Sequence, residues 1–438
     1  MGRSKLWLIA LLAAIIFSID VALLLNNTVV TLGKNIPQND LSTDYVTGLL
    51  CSIGLGLSIL VFPIPARHKP ELLLIWIVKS LVTLSFMLFY EIYYSSLDAY
   101  SYFKIPSSAS FDWTGFRIGS GTQNIYNLVW LYYKIMPVSY HALKVSFAMV
   151  GLVAIYVFYR AAVIFLHKED IRILYAIAFF PSILFWSSTI GKDPIILLGI
   201  GLYVYGVVKW HKFSNLRYIF VSALGLVLTM LIRSWLGPLL LIPTVSLLLG
   251  GVRGILPKLT AAVVVVTALI LVLGQFQEQF RIDTSQEALQ TLDTVSRGWA
   301  EGGSKQEIQA DFTQVDQALS FIPIGIFTAL FRPLPGEVLN PFGLLAGLEN
   351  LLLLFLLALA VTRTRWKDLK DALVIWAILL VLTWAAVYGF VSYQNLGTAV
   401  RFKTQILPVL LGVLLYLGRR RQLVTRYRPA FVNSNNRH

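Results

Sequence analysis

"FWSSTIGKDPIILLGIGL" runs from Phe185 to Leu202, and the reading of its Lys192–Asp193 pair decides how the chain is folded. Taken as one apolar segment, it would place a cation and an anion at mid-membrane, where charges are costly and few. Taken as two helices joined by a polar turn, it leaves both charges at one membrane face. Pro194 then falls in the first turn of the second helix, where its missing N–H costs nothing. The second reading makes this stretch the hinge between two spans, and the rest of the chain follows the same pattern.

The chain has 438 residues, 57% hydrophobic and 13% charged, with a mean hydropathy of +0.72. A soluble domain carries about 25% charged residues. The apolar runs reach the roughly 17–25 residues of a spanning helix and lack the alternation of barrel strands. An all-α, polytopic transmembrane helical bundle is expected. One cysteine, Cys51, excludes an internal disulfide. No Cys/His spacing for a metal, no P-loop and no dinucleotide fingerprint is present, so no cofactor is expected. The net charge of +14 reads as topology, since Lys and Arg collect on the cytoplasmic side, and not as a nucleic-acid surface. The tail "RRRQLVTRYRP" (419–429) meets anionic headgroups on this reading.

Twelve spans are expected, near 6–25, 47–64, 72–94, 141–165, 173–189, 194–208, 217–232, 235–250, 258–274, 342–361, 372–391 and 404–417, with both ends inside. The first run is long for a signal peptide and is followed by no small-residue cleavage site. The loops this arrangement puts inside, 67–69, 167–172, 209–217, 253–258 and 363–370, are all short and basic, as the cytoplasmic rule requires. The organisation is one integral membrane domain (1–438). It has an outer loop at 95–140 with an interfacial helix near 124–137. A large outer loop at 275–341 carries amphipathic helices and an interfacial or re-entrant stretch at 321–331, and a basic cytoplasmic tail covers 419–438.

Polar residues then gather at the outer face. Lys192 and Asp193 lie in the turn between spans five and six. Asp20 and Glu91 end spans one and three; Asp98 and Tyr100 follow in "DAYSYF". Arg233 follows span seven. Arg332 and Glu337, in "FRPLPGE", precede span ten, and Arg401 and Lys403 precede span twelve. Glu349 sits about 10 Å inside the outer end of span ten, at 1.5 Å per residue. Lys79 and Arg160 fall near inner ends, where they can snorkel. Cations and acids from separate spans, all at one face, describe an outward-opening cavity for a phosphate-bearing lipid head.

The chemistry that suits such a cavity is glycosyl transfer from a polyprenyl phosphate or pyrophosphate donor. Fixed cations stabilise an anionic leaving group, more strongly in a dry site. A sugar hydroxyl needs a carboxylate within reach as base. Asp98 is the first candidate and Glu349 the second. Lys192, Arg233, Arg332, Arg401 and Lys403 are the candidate phosphate ligands, with Asp193, Glu91, Tyr100 and Glu337 in supporting places.

"DAYSYF", "FPSILFWSSTIGKD", "FRPLPGE" and "AVRFKTQILP" occur in this order between 98 and 408. Together they resemble bacterial polysaccharide-biosynthesis membrane proteins, namely the Wzy-type and EpsG-type polymerases and the wider GT-C glycosyltransferases. The resemblance implies a GT-C-like bundle that polymerises exopolysaccharide or O-antigen-like repeat units. It implies a bacterial plasma-membrane location with an extracytoplasmic site, a polyprenyl-linked donor, a saccharide acceptor, and other polysaccharide synthesis or export proteins as partners. It maps the base onto Asp98 and pyrophosphate-binding arginines onto Arg233, Arg332 and Arg401. Some Wzy polymerases carry Arg, ten residues, then Gly. Here Arg332 is so followed by Gly343 and Arg401 by Gly412, whereas Arg233 is followed by Thr244. The "DxD" pair of metal-dependent members is missing at Asp98, which argues against a metal. The competing expectations are a lipid-linked-oligosaccharide flippase, which should show paired halves with broken helices at the midplane, and a non-catalytic scaffold of a synthase complex.

Overall fold

Among the described residues the secondary structure is helical, with one isolated bridge between Lys305 and Asn395. The computed structural model describes residues 27–93, 95, 97–251 and 314–419, with isolated positions between 259 and 312, among them 304–306 and 312. The expected first span with Asp20, most of the span at 258–274, most of the outer segment before 314 and the tail beyond 419 lie outside the described residues.

The helices are α1 (Leu41–Val61), α2 (Ala66–Tyr93), α3 (Asp98–Ser107), α4 (Gly121–Tyr133), α5 (Tyr140–Phe165), α6 (Ile171–Ala178), α7 (Pro181–Trp186), α8 (Lys192–Phe213), α9 (Arg217–Ile232), α10 (Leu236–Gly251), α11 (Val315–Phe331), α12 (Pro341–Arg363), α13 (Ala372–Ser392), α14 (Leu396–Lys403) and α15 (Leu407–Leu417). Six of these, α1, α2, α5, α8, α12 and α13, are long and apolar enough to cross a membrane. The pair α14–α15, bent by 71°, would make a seventh. The chain is thus an all-α membrane protein.

Several expected spans take a different form. The run 173–189 is not one helix. It breaks after Ala178 and restarts at Pro181 as the six-residue α7, because proline cannot continue the ladder but suits a first turn. The run 404–417 is preceded by its own short helix and bent at Thr404–Ile406. The stretch expected at 321–331 belongs to a 17-residue helix, α11, packed along α13. The outer helix near 124–137 is α4, packed on α3.

In lipid, helices associate through close packing of small residues more than through apolar burial. α8 crosses α9 where Gly199 and Gly225 face each other; a Cβ at Gly225 would lie 2.4 Å from the Gly199 carbonyl oxygen. α11 meets α13 in the same way at Gly325 and Gly389. α5, α8, α13 and α15 supply most of the interior, with Tyr159, Tyr203, Trp376, Trp384 and Tyr388 buried between them. α2 carries a widened turn at Val82–Phe86, and α2, α7, α12 and α14 leave a cavity between them.

Candidate functional site

Three elements distant in sequence bring their charges together beside that cavity. Asp98 is the first residue of α3, Lys192 and Asp193 open α8, and Arg401 lies in α14. Each position has a local cause. Gly191, the N-cap of α8, has φ 144°, a backbone state that side chains rarely adopt, and Tyr102 closes over it. α14 starts at Asn395, whose side chain accepts the Thr398 N–H at 3.0 Å.

Arg401 is the hub. Its Nε donates to Asp193 Oδ2 at 2.7 Å, and its Nη1 lies 3.6 Å from Asp98 Oδ2. Its guanidinium carbon is 5.3 Å from the Trp186 ring centroid, within cation–π range. The two acids differ. The Asp193 side chain is 2% exposed, and its Oδ1 accepts no hydrogen bond from the described residues. The Asp98 side chain is 65% exposed. Lys192 donates to Thr122 Oγ1 at 2.8 Å and lies within electrostatic reach of Asp98, Asp193, Arg233 and Arg401. Arg233 donates to the Tyr388 hydroxyl at 2.9 Å, and its guanidinium carbon is 4.1 Å from the Phe402 ring centroid.

The cavity has a volume of about 520 Å³, and Arg401 and Glu349 both line it. One wall is aromatic. Phe86, Tyr90, Phe185, Trp186 and Phe342 meet mainly edge to face at centroid separations of 5.0 to 6.4 Å. The other side is polar, with Ser304, Asn340, Asn395 and Thr398. Ser304 is held there because its carbonyl accepts the Leu396 N–H at 3.0 Å, while Gln306 N–H donates to the Gln394 carbonyl at 2.7 Å.

Other expected site residues are engaged elsewhere. Glu349 accepts from Ser182 N–H at 2.8 Å and from Ser182 Oγ at 2.7 Å, with Lys403 Nζ 4.0 Å away. Lys403, expected at an open phosphate site, is fully enclosed and donates to Asn350 Oδ1. With its amine enclosed and held by Asn350, it does not face an open site. Arg332 is taken by Glu337, with Nη2–Oε1 at 2.6 Å and Nε–Oε1 at 2.9 Å. Burial raises the Glu337 carboxyl, but the Arg332 hydrogen bond, the Leu334 N–H and the guanidinium charge outweigh it, and it titrates below its ordinary value. Glu91 accepts from Tyr140 Oη at 2.7 Å and pairs with Lys144 at 2.9 Å, both buried. Tyr100 donates to the Glu91 carbonyl at 3.2 Å. Lys79 does not snorkel: it is fully buried and donates to Ser187 and Ser188. Of the Arg-ten-Gly pairs, Gly343 lies against Val338, where a Cβ would come within 2.4 Å, while a Cβ at Gly412 would meet nothing within 4 Å.

Sequence reasoning missed Trp186, Thr122 and Ser182 at the site, and the buried pairs Glu91–Lys144 and Asp44–His141 behind it. "YHALK" (140–144), two basic residues opening an apolar run, was the available signal for the second pair set. Comparison with protein-family models, curated proteins and solved structures gives no match to this chain.

Proposed function

We propose that this chain is a membrane glycosyltransferase that moves a saccharide from a polyprenyl (pyro)phosphate carrier to a saccharide acceptor, polymerising exopolysaccharide or O-antigen-like repeat units. The observation that carries the reading is the Arg401 cluster. A guanidinium that is 27% exposed, flanked by one buried and one open carboxylate, stands at the edge of an aromatic-walled cavity. An isoprenoid tail suits the aromatic wall, and its phosphate suits Arg401 and Lys192.

In this reading the acceptor hydroxyl attacks the anomeric carbon and Asp98 takes its proton. The bond from that carbon to the carrier phosphate breaks, and the electron pair leaves with the phosphate, held by Arg401 and Lys192. Asp98 is favoured over Glu349 as the base because its carboxylate is open, whereas Ser182 occupies Glu349. Asp193 orients Arg401. The wider setting we propose is a GT-C-like bundle of twelve spans in a bacterial plasma membrane, with both termini cytoplasmic and the site extracytoplasmic. The short basic loops support it, as does the gathering of Asp98, Lys192 and Arg401 at helix ends that this topology puts outside. The test is Arg401→Ala in cells that depend on the chain for polymer. Inserted at wild-type level, the variant should accumulate unextended lipid-linked units; polymer of normal length would remove the assignment.

A further inference from the structure

The six-residue α7 supplies Trp186 to the Arg401 cluster, and the turn after it delivers Lys192 and Asp193. A helix this short does not hold itself together, since nucleation costs more than so few hydrogen bonds return. What fixes it comes from elsewhere. At its start, Glu349 of α12 accepts both the backbone N–H and the hydroxyl of Ser182, at 2.8 and 2.7 Å. At its end, Lys79 of α2 donates to Ser187 Oγ at 2.5 Å and Ser188 Oγ at 2.8 Å. Ser187 is the residue that terminates α7. A carboxyl group thus receives the hydrogen bonds of the N-terminal end and an amine supplies those of the C-terminal end. The turn is also seated on α5, where a Cβ at Gly151 would lie 2.0 Å from the Ser187 carbonyl oxygen.

Both tethers are expensive. Lys79 is completely enclosed and Glu349 is 5% exposed, and burying such polar groups is costly unless they are hydrogen-bonded. Among the described residues no hydrogen bond or ion pair joins either to Arg401, Asp98 or Lys192. We infer that Lys79 and Glu349 are positioning residues that grip the two ends of α7 and so hold Trp186 and Asp193 against Arg401. This rests on the reading of the Arg401 cluster as the donor site. It also gives Glu349 a role other than the base.

The test uses the full chain in lipid nanodiscs, with hydrogen exchange followed by mass spectrometry and, separately, transfer from a defined polyprenyl-diphosphate oligosaccharide. Lys79→Met should speed exchange across 181–191 by about tenfold while α5 and α8 keep their protection. It should also lower kcat by about thirtyfold with KM for the donor changed less than about threefold, an orientation effect. Ser182→Ala, which keeps Lys79 and Glu349 and removes one hydroxyl, should move both readings the same way by about threefold. It decides the matter if Lys79→Met fails to fold. Wild-type exchange in the folded variants overturns the inference, and so does faster exchange with unchanged kcat. Because exchange is read without substrate, a wild-type protein that transfers no saccharide would sink the proposed function while leaving the exchange result to judge the tethers.

Discussion

Two ionic clusters in this bundle are built in opposite ways. Around Arg401 an open carboxylate, a buried carboxylate and a partly exposed guanidinium meet, and of these Arg401 lines the cavity. Behind it, Glu91, Lys144 and Tyr140 close on one another, with side chains almost wholly out of contact with solvent. Both clusters carry charge in an apolar setting, so charge alone does not mark function. What separates them is access: Asp98 and Arg401 keep exposed surface, whereas Glu91 and Lys144 do not. The closed cluster ties α2 to α5; the open one has groups left to offer a ligand.

That contrast can be broken by mutation. The largest expected effect is Arg401→Ala, which should lower transfer by about 10³-fold, as removal of a fixed cation from a developing phosphate charge does; it also leaves the buried Asp193 without its partner, so Arg401→Ala with Asp193→Asn should recover stability but not transfer. Asp98→Asn should lower kcat by about 10²-fold, at the lower end for loss of a general base, with little change in Tm because the side chain is open. Lys144→Met should do the reverse. It leaves Glu91 buried without its partner and should cost about 3–5 kcal/mol of stability, while Lys144→Met with Glu91→Gln should recover most of that. Loss of activity from the double variant at full stability would erase the distinction between the clusters.

The smallest effect should come from Glu337. Its carboxyl titrates below the unfolded value, so the stability its pair with Arg332 contributes is present above the ordinary value of 4.5 and is lost as pH falls below it. The pair is partly exposed, so Glu337→Gln should change stability by less than about 1 kcal/mol at pH 7. Thermal melts at pH 7 and pH 3.5 check this, with the wild-type advantage smaller at the lower pH.

Composition alone made the all-α membrane class legible. The site was partly legible, for a physical reason: Lys192, Asp193, Arg401 and Asp98 stand out because ionic residues are rare in such a chain. Their partners did not stand out. Glu349 caps α7 by accepting a backbone N–H 167 residues away, and Asp44 does the same for α5 at Tyr140. A backbone donor leaves no trace in the residue type, so both acids look free in sequence. The break at Phe179–Phe180 was hidden by unbroken hydrophobicity across 173–186, although Pro181 marks where the helix restarts. Lys79 was misread because depth along a helix says nothing about which side of it faces protein.

The most direct measurement is transfer by the purified chain in nanodiscs, given a defined undecaprenyl-diphosphate oligosaccharide and no other protein, with products resolved by chain length. A ladder of extended products released with free carrier diphosphate is expected, absent with Arg401→Ala. Intact donor after prolonged incubation with folded protein, or movement of the donor across the bilayer without any bond being made, would contradict it.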